Sequence, residues 1–289
     1  MFNSRYFFRT LKYAAASLSI LAIASIAAKG QTPADIVPHS TPSQVEEGVE
    51  LNKGAAAYRG ARYDEAISHF QKATELAPDE PIAKMYLAVA LSQNVVSGLE
   101  TPENLKIAQK AIDLFQQVLE KRPHDLPTMQ LLAGVEFEIK RLNDAKEWQK
   151  KVLAEDPKDP EAAYTIGVID WQEAHQNALR ALDAAGLNDD GMGNAKAPAA
   201  LMEKIKALNS ALVEEGLAYL NRAVENRPNY EDSMAYLNLM YRRKADVDWG
   251  NESARKEDVA TAEQWRNKAM ETRRANEEKK NAESASPQR

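Results

Sequence analysis

The chain has no cysteine in 289 residues. That excludes disulfides, thiolate metal sites, a thiol nucleophile and acylation on an N-terminal cysteine. Its stability must come from packing alone. Glycine and proline are scarce, at 12 and 13, which is too few for a many-turned all-β chain. Histidine occurs only at His39, His69, His124 and His175, and none has a partner at the spacing of a known metal motif. A long apolar span is missing too. The longest uncharged run, residues 13–28, is sixteen residues, short of the roughly 20 that a membrane-crossing helix needs. There is no excess of positive charge: 37 basic residues face 43 acidic ones, for a net charge of −6. Nucleic acid and anionic lipid surfaces are therefore poor partners.

What is present is helix-forming. Hydrophobic residues make up 44% and charged ones 28%, compatible with a packed core. The body is rich in Ala, Leu, Glu, Lys and Gln. Residues 1–30 stand apart. "MFNSRYFFRTLK" carries Arg5, Arg9 and Lys12 with no acid, the apolar run follows, and "AKGQTPAD" supplies small and then polar residues. This is the layout of a secretory signal peptide, with cleavage after Ala27, Ala28 or Gly30. An uncleaved anchor is the competing reading. The shortness of the run and Ser17, Ser19 and Ser25 weigh against it. Losing the four basic residues of the leader takes the chain from −6 to −10. Export places the protein in the periplasm or outside the cell. Residues 31–44 read as a flexible linker.

A pattern then recurs. Ala66, Phe70, Ala73 and Pro78 reappear as Ala111, Phe115, Val118 and Pro123. They return as Ala145, Gln149, Val152 and Pro157, then as Gly216, Leu220, Ala223 and Pro228. A last copy, Ala262, Arg266 and Ala269, lacks the proline. Small residues at the first offset let a neighbouring helix approach, and the large one fills the space beside it. The proline falls just past the helix end. Partner helices precede each copy, marked by Leu87-Ala88, Leu132-Ala133 and Ile166-Gly167. Only the small half survives at Gly54, and only the large half at Leu237-Asn238. "PDEP" (78–81) and "PKDP" (157–160) place proline in the next helix's first turn, behind an acidic residue able to cap it.

With these residues in register, the chain resembles the tetratricopeptide repeat family, helix–turn–helix units of about 34 residues. "GAAAYRGARYDEAISHFQKATELAP" (54–78) follows the family pattern over nearly a whole unit. The resemblance implies an all-α, right-handed α-solenoid of about five helix pairs over residues 45–272. The units are approximately 47–80, 81–125, 126–159, 160–230 and 231–272, followed by a charged disordered tail, 273–289. Insertions depart from the pattern at 93–103, at 246–257 and between Trp171 and Gly216. The last of these predicts an extended helical hairpin in the fourth unit, broken by a flexible loop at 186–198.

Catalytic chemistry is thin. "NDDGMGN" (188–194) lacks both the alternating ligands of a calcium loop and the lysine of a phosphate loop. No Ser–His–Asp arrangement is evident, and no cofactor is expected. In the family, the first helix of each unit lines the concave face. The resemblance thereby implies partner-binding positions at Tyr58, Met85, Phe137, Tyr164, Trp171, Arg242 and Arg243, with Val89, Val168 and Leu239 beside them. The two arginines suit a ligand carboxylate, and pairing with nearby acids of the repeats is equally open. The reading is an exported, non-catalytic scaffold for a protein or peptide, without nucleic acid and without a stable membrane anchor once the leader is removed. The alternative is an accessory subunit of envelope assembly, secretion or polysaccharide export, docking through the hairpin. An enzyme with a site near Trp171 and His175 is the contrasting class.

Overall fold

The computed structural model describes residues 41–285; the signal-peptide reading, and the linker reading up to residue 40, lie outside them. Ten helices make up the described residues, with no strand. They are α1 (Pro42–Arg59), α2 (Tyr63–Leu76), α3 (Pro81–Gln93), α4 (Pro102–Lys121), α5 (Leu126–Glu138), α6 (Leu142–Glu155), α7 (Pro160–Ala184), α8 (Ala199–Asn226), α9 (Glu231–Val247) and α10 (Glu252–Ala285). They form an all-α repeat fold in two compact units, divided between Glu155 and Asp156. The first unit holds the pairs α1–α2, α3–α4 and α5–α6, and the second holds α7–α8 and α9–α10.

The repeat offsets are the core. Ala66, Phe70 and Ala73 are fully buried, as are Ala111, Phe115 and Val118. Gly216, Leu220 and Ala223 repeat this in the second unit. The pairing between helices is physical and not merely statistical. A Cβ on Gly54 would lie 2.5 Å from the Phe70 ring, and one on Gly167 would lie 2.5 Å from Leu220 Cγ. The small position on one helix is the socket for the large position on the next. Each proline of the pattern sits two residues past a helix end, after Leu76, Lys121, Glu155 and Asn226. Pro81 and Pro160 occupy first-turn positions. Asp159 caps α7 through the Glu161 and Ala162 amides at 2.8 and 2.9 Å. Glu80 makes no such bond to α3.

Both ends differ from the sequence boundaries. Helix α1 begins at Pro42, inside the expected linker, because Thr41 and Gln44 close a capping box. At the other end α10 continues to Ala285, past the boundary at 272. Its continuation is anchored by polar contacts: Arg273 meets Asp232 at 3.2 Å, and the Asn276 amide donates to Glu231 at 2.6 Å and to the Asn229 carbonyl at 3.1 Å. Beyond Asn276 the helix runs exposed on strong helix formers.

The insertion in the second pair of the first unit is organised by buried Asn104. Its side chain accepts from the Val96 amide at 2.7 Å and donates to the Val96 and Leu99 carbonyls at 3.0 and 2.6 Å.

Candidate interaction face

Helix α7 presents Tyr164, Trp171 and His175 at spacings of seven and four, one face of a helix. Tyr230 and Tyr236 come from the start of α9 and its second turn. Together they form an aromatic ladder within the second unit. Tyr230 and Tyr164 lie 5.0 Å apart, Tyr164 meets Tyr236 edge-on at 5.7 Å, and Tyr236 meets Trp171 edge-on at 5.2 Å. Trp171 and His175 stack at 4.9 Å with a 12° interplanar angle. Such offset and edge-to-face pairs are favoured by ring quadrupoles.

The foot of the ladder is pinned. Tyr230 donates its hydroxyl to Glu161, Arg227 meets the same carboxylate at 2.6 Å, and the Arg227 guanidinium lies 4.4 Å over the Tyr230 ring. Burial pushes the Tyr164, Tyr230 and Tyr236 phenols upward, so all three stay neutral donors. Tyr164 and Tyr230 are buried, while Tyr236, Trp171 and His175 are half-buried. Burial, then the nearby Arg243 charge, lowers the His175 pKa against the opposing pull of Asp189. The imidazole is therefore neutral at pH 7, an apolar-faced ring on a tryptophan.

The head of the ladder meets the loop between α7 and α8. This segment reads as flexible in sequence, but it is a bonded turn. Asp190 Oδ1 accepts from the Met192 and Asn194 amides at 2.7 and 2.9 Å, and Asp189 Oδ1 accepts from the Gly191 amide at 3.0 Å. Gly193 has φ +86, and a Cβ there would stand 2.7 Å from the Ala245 carbonyl oxygen, so only glycine fits. The Arg242 guanidinium donates to the Gly191 carbonyl at 2.8 Å and pairs with Glu263. Arg243 donates to Asp189 at 2.7 Å. Arg255 donates to the Met192 carbonyl at 2.6 Å.

The two arginines are thus paired with acids and carbonyls of this chain. Arg243 is only 3% exposed and Arg242 21%. Of the other partner-binding positions named from the resemblance, Tyr58, Met85, Phe137 and Tyr164 are buried. Tyr58 packs edge-on against Tyr63 at 5.4 Å. Large side chains at these positions fill the space beside a neighbouring helix, and so they disappear into the array. Trp171 and Arg242 are the two that keep a partly open face. Tyr230 and Tyr236 were not legible in the repeat register. With Leu237-Asn238 aligned on Ile166-Gly167, Tyr236 falls opposite Thr165, away from the positions expected to line the face.

Among the described residues, no group of three or more His, Asp or Glu side chains is placed to hold a metal. Nor is any described helix long and apolar enough to cross a membrane.

Two segments match tetratricopeptide-repeat family profiles, residues 51–95 and residues 108–167. No curated protein matches the chain. Among solved structures, MamA (residue 41 to its end) from Desulfovibrio magneticus RS-1 is similar at a TM-score of 0.54 and 19% identity, over 80% of this chain and 96% of that one. A further MamA crystal structure is similar at 0.52 and 13% identity, over 84% and 98%. At these identities the likeness is one of fold: a helical-repeat architecture.

Proposed function

We propose that the protein is an exported, non-catalytic repeat scaffold that binds a protein or peptide segment on the ladder face of its second unit. The observation that carries this reading is the half-exposed Trp171–His175 stack, held edge-on by Tyr236. Rigid aromatic surface of this kind gives large contact area at small entropic cost. The rungs below it are buried, so the exposed rungs are positioned before any ligand arrives. A segment with apolar or aromatic side chains suits the stack, and Arg242, on the same helix as Tyr236, offers a guanidinium already shared between Glu263 and Gly191. Export rests on the leader pattern of residues 1–30.

The test is capture from envelope extract by immobilised protein beginning at residue 31, followed by identification of the partner and titration with the purified partner. Trp171→Ala should weaken binding at least about tenfold, as a tryptophan at the centre of an interface does. An identified partner bound equally by the variant would remove the ladder face from the reading.

A docking role for the hairpin has its own observation. Met192, in the loop between α7 and α8, is 51% exposed, and Leu208 on α8 is 47% exposed. A partner lost on Met192→Ser with Leu208→Ser, and kept by Trp171→Ala, would select that surface instead.

A further inference from the structure

The corner where α9 turns into α10 packs against the loop between α7 and α8, and at its buried centre one arginine serves two aspartates. Arg243 Nη2 meets Asp189 Oδ2 at 2.7 Å and Nη1 lies 2.9 Å from Asp246 Oδ2. The second contact is off the hydrogen-bond line, leaving Asp246 Oδ2 without a hydrogen-bond partner. The other oxygen of Asp246 accepts from the Asn194 side-chain amide at 2.8 Å. The adjacent Lys244 bridges Asp248 at 2.6 Å and Asp258 at 2.7 Å, two carboxyls that also act on each other. Asp189 and Asp246 thus share one arginine, and Asp246 is buried.

We propose that the Arg243–Asp189–Asp246 cluster is a proton-operated latch, which docks residues 187–197 against the α9–α10 corner more firmly in mildly acid than in neutral solution. The proposal goes beyond the partner-binding reading and does not depend on it.

The groups facing the latch determine its sign. Asp246 faces Arg243 on its own helix and Asp189 and Asp190 on the loop. Asp258, on α10, faces Lys244 and Asp248, and Lys206 of α8 acts on Asp248. His175 on α7 feels both Arg243 and Asp189. Burial raises Asp246 to about 6, with Arg243 opposing and Asp189 adding to the rise. Burial likewise raises Asp258 to about 6. Burial also acts against Asp189 and Asp248, but Arg243 and Lys244 outweigh it and both stay low. A carboxyl whose folded pKa is raised binds its proton more tightly when docked than when open. Docking is therefore favoured as pH falls through about 6, and the gain fades as pH rises above it. His175 has the opposite sign. Its lowered pKa means that charging the imidazole works against docking as the solution becomes more acid.

Native-state hydrogen exchange on the full chain reads the latch at the Gly191, Met192 and Asn194 amides, after correction for intrinsic exchange. Protection should be higher at about pH 5 than at about pH 7.5, by up to about tenfold, the ratio supplied by one proton held at about 6 before the opposing His175 contribution is subtracted. Asp246→Asn imitates the protonated latch. It should flatten this dependence and keep protection at about pH 7.5 at or above that of the wild type. Equal protection at both pH values in the wild type overturns the proposal, as does a slope that survives in Asp246→Asn. His175→Gln should steepen the slope; its disappearance there would assign the effect to the imidazole and overturn the carboxylate latch. Carboxyl NMR titration of the unaltered chain needs no variant to fold. It must find Asp246 titrating above about 5, and a midpoint below that would sink the latch.

Discussion

Ala66 and Ala111 show how far one side chain can be interpreted in this fold. Each is fully buried on the second helix of a pair, at the offset where the repeat demands a small residue. Added methylenes there have no void to enter, because the neighbouring large position already fills it. Ala66→Leu or Ala111→Leu should cost about 1–3 kcal/mol of stability through overpacking. Thermal melts of both variants check this, and unchanged melting in both would mean that the offset has been placed on the wrong face. The same scale explains why most of the expected partner-binding positions are not surface. Met85 and Phe137 are large residues on first helices, where size reads equally as anchor or as filling. Which of the two applies depends on the neighbouring helix, and the repeat offset alone does not say how closely that helix approaches. Trp171 is a different case. Its indole stacks against His175 on its own helix and meets Tyr236 on α9, and it remains half open.

At the scale of elements, two insertions that look unrelated along the chain form one structure. The extended ends of α7 and α8 bury Ala178, Ala181, Leu182, Met202 and Ile205, and Trp249 from the α9–α10 corner packs against them. The hairpin is extended as its sequence suggests, and the later insertion near 246–257 packs on it. Trp249→Ala should therefore loosen the distal hairpin by about 1–3 kcal/mol, less than a fully buried tryptophan would cost because Trp249 is only partly buried. Hydrogen exchange should speed up at residues 178–182 and 202–205 and stay unchanged in α1–α6. An increase spread evenly over the chain would contradict this local packing. The loop at 186–198, flexible by its sequence, is held by hydrogen bonds at this same scale. Its Gly, Asn and Asp content signals a turn, and such composition is shared by loose and tight turns alike. Asn194, buried and bonded to Asp189, Asp190 and Asp246, makes this one tight.

For the whole molecule, the proposed leader at residues 1–30 sets the prediction that is simplest to check. Export with cleavage after Ala27, Ala28 or Gly30 leaves a protein beginning at Ala28, Lys29 or Gln31. Intact mass of the protein recovered from the periplasm or medium reads this directly. Recovery of the full chain in a membrane fraction would favour the uncleaved anchor. The mature chain would carry a net charge of −10 once the four leader cations are gone from −6. An interaction made through the aromatic ladder should therefore respond weakly to salt, whereas one driven by the acidic surface would screen away within the physiological range.

The amino-acid sequence alone determined the periodic skeleton. Small-then-large offsets, the prolines two residues past each helix end and the first-turn prolines are local signals, since helix period and chain termination are properties of neighbouring residues. That is why the helix pairs and their cores were legible. Tertiary structure decided what no local pattern encodes. It set Tyr230 and Tyr236 against Tyr164 and Trp171, committed Arg243 to Asp189, and closed one insertion over another. Each of these depends on the approach of residues dozens of positions apart. Whether a large side chain or a charge ends up buried, paired or open there depends on which helix lands beside it.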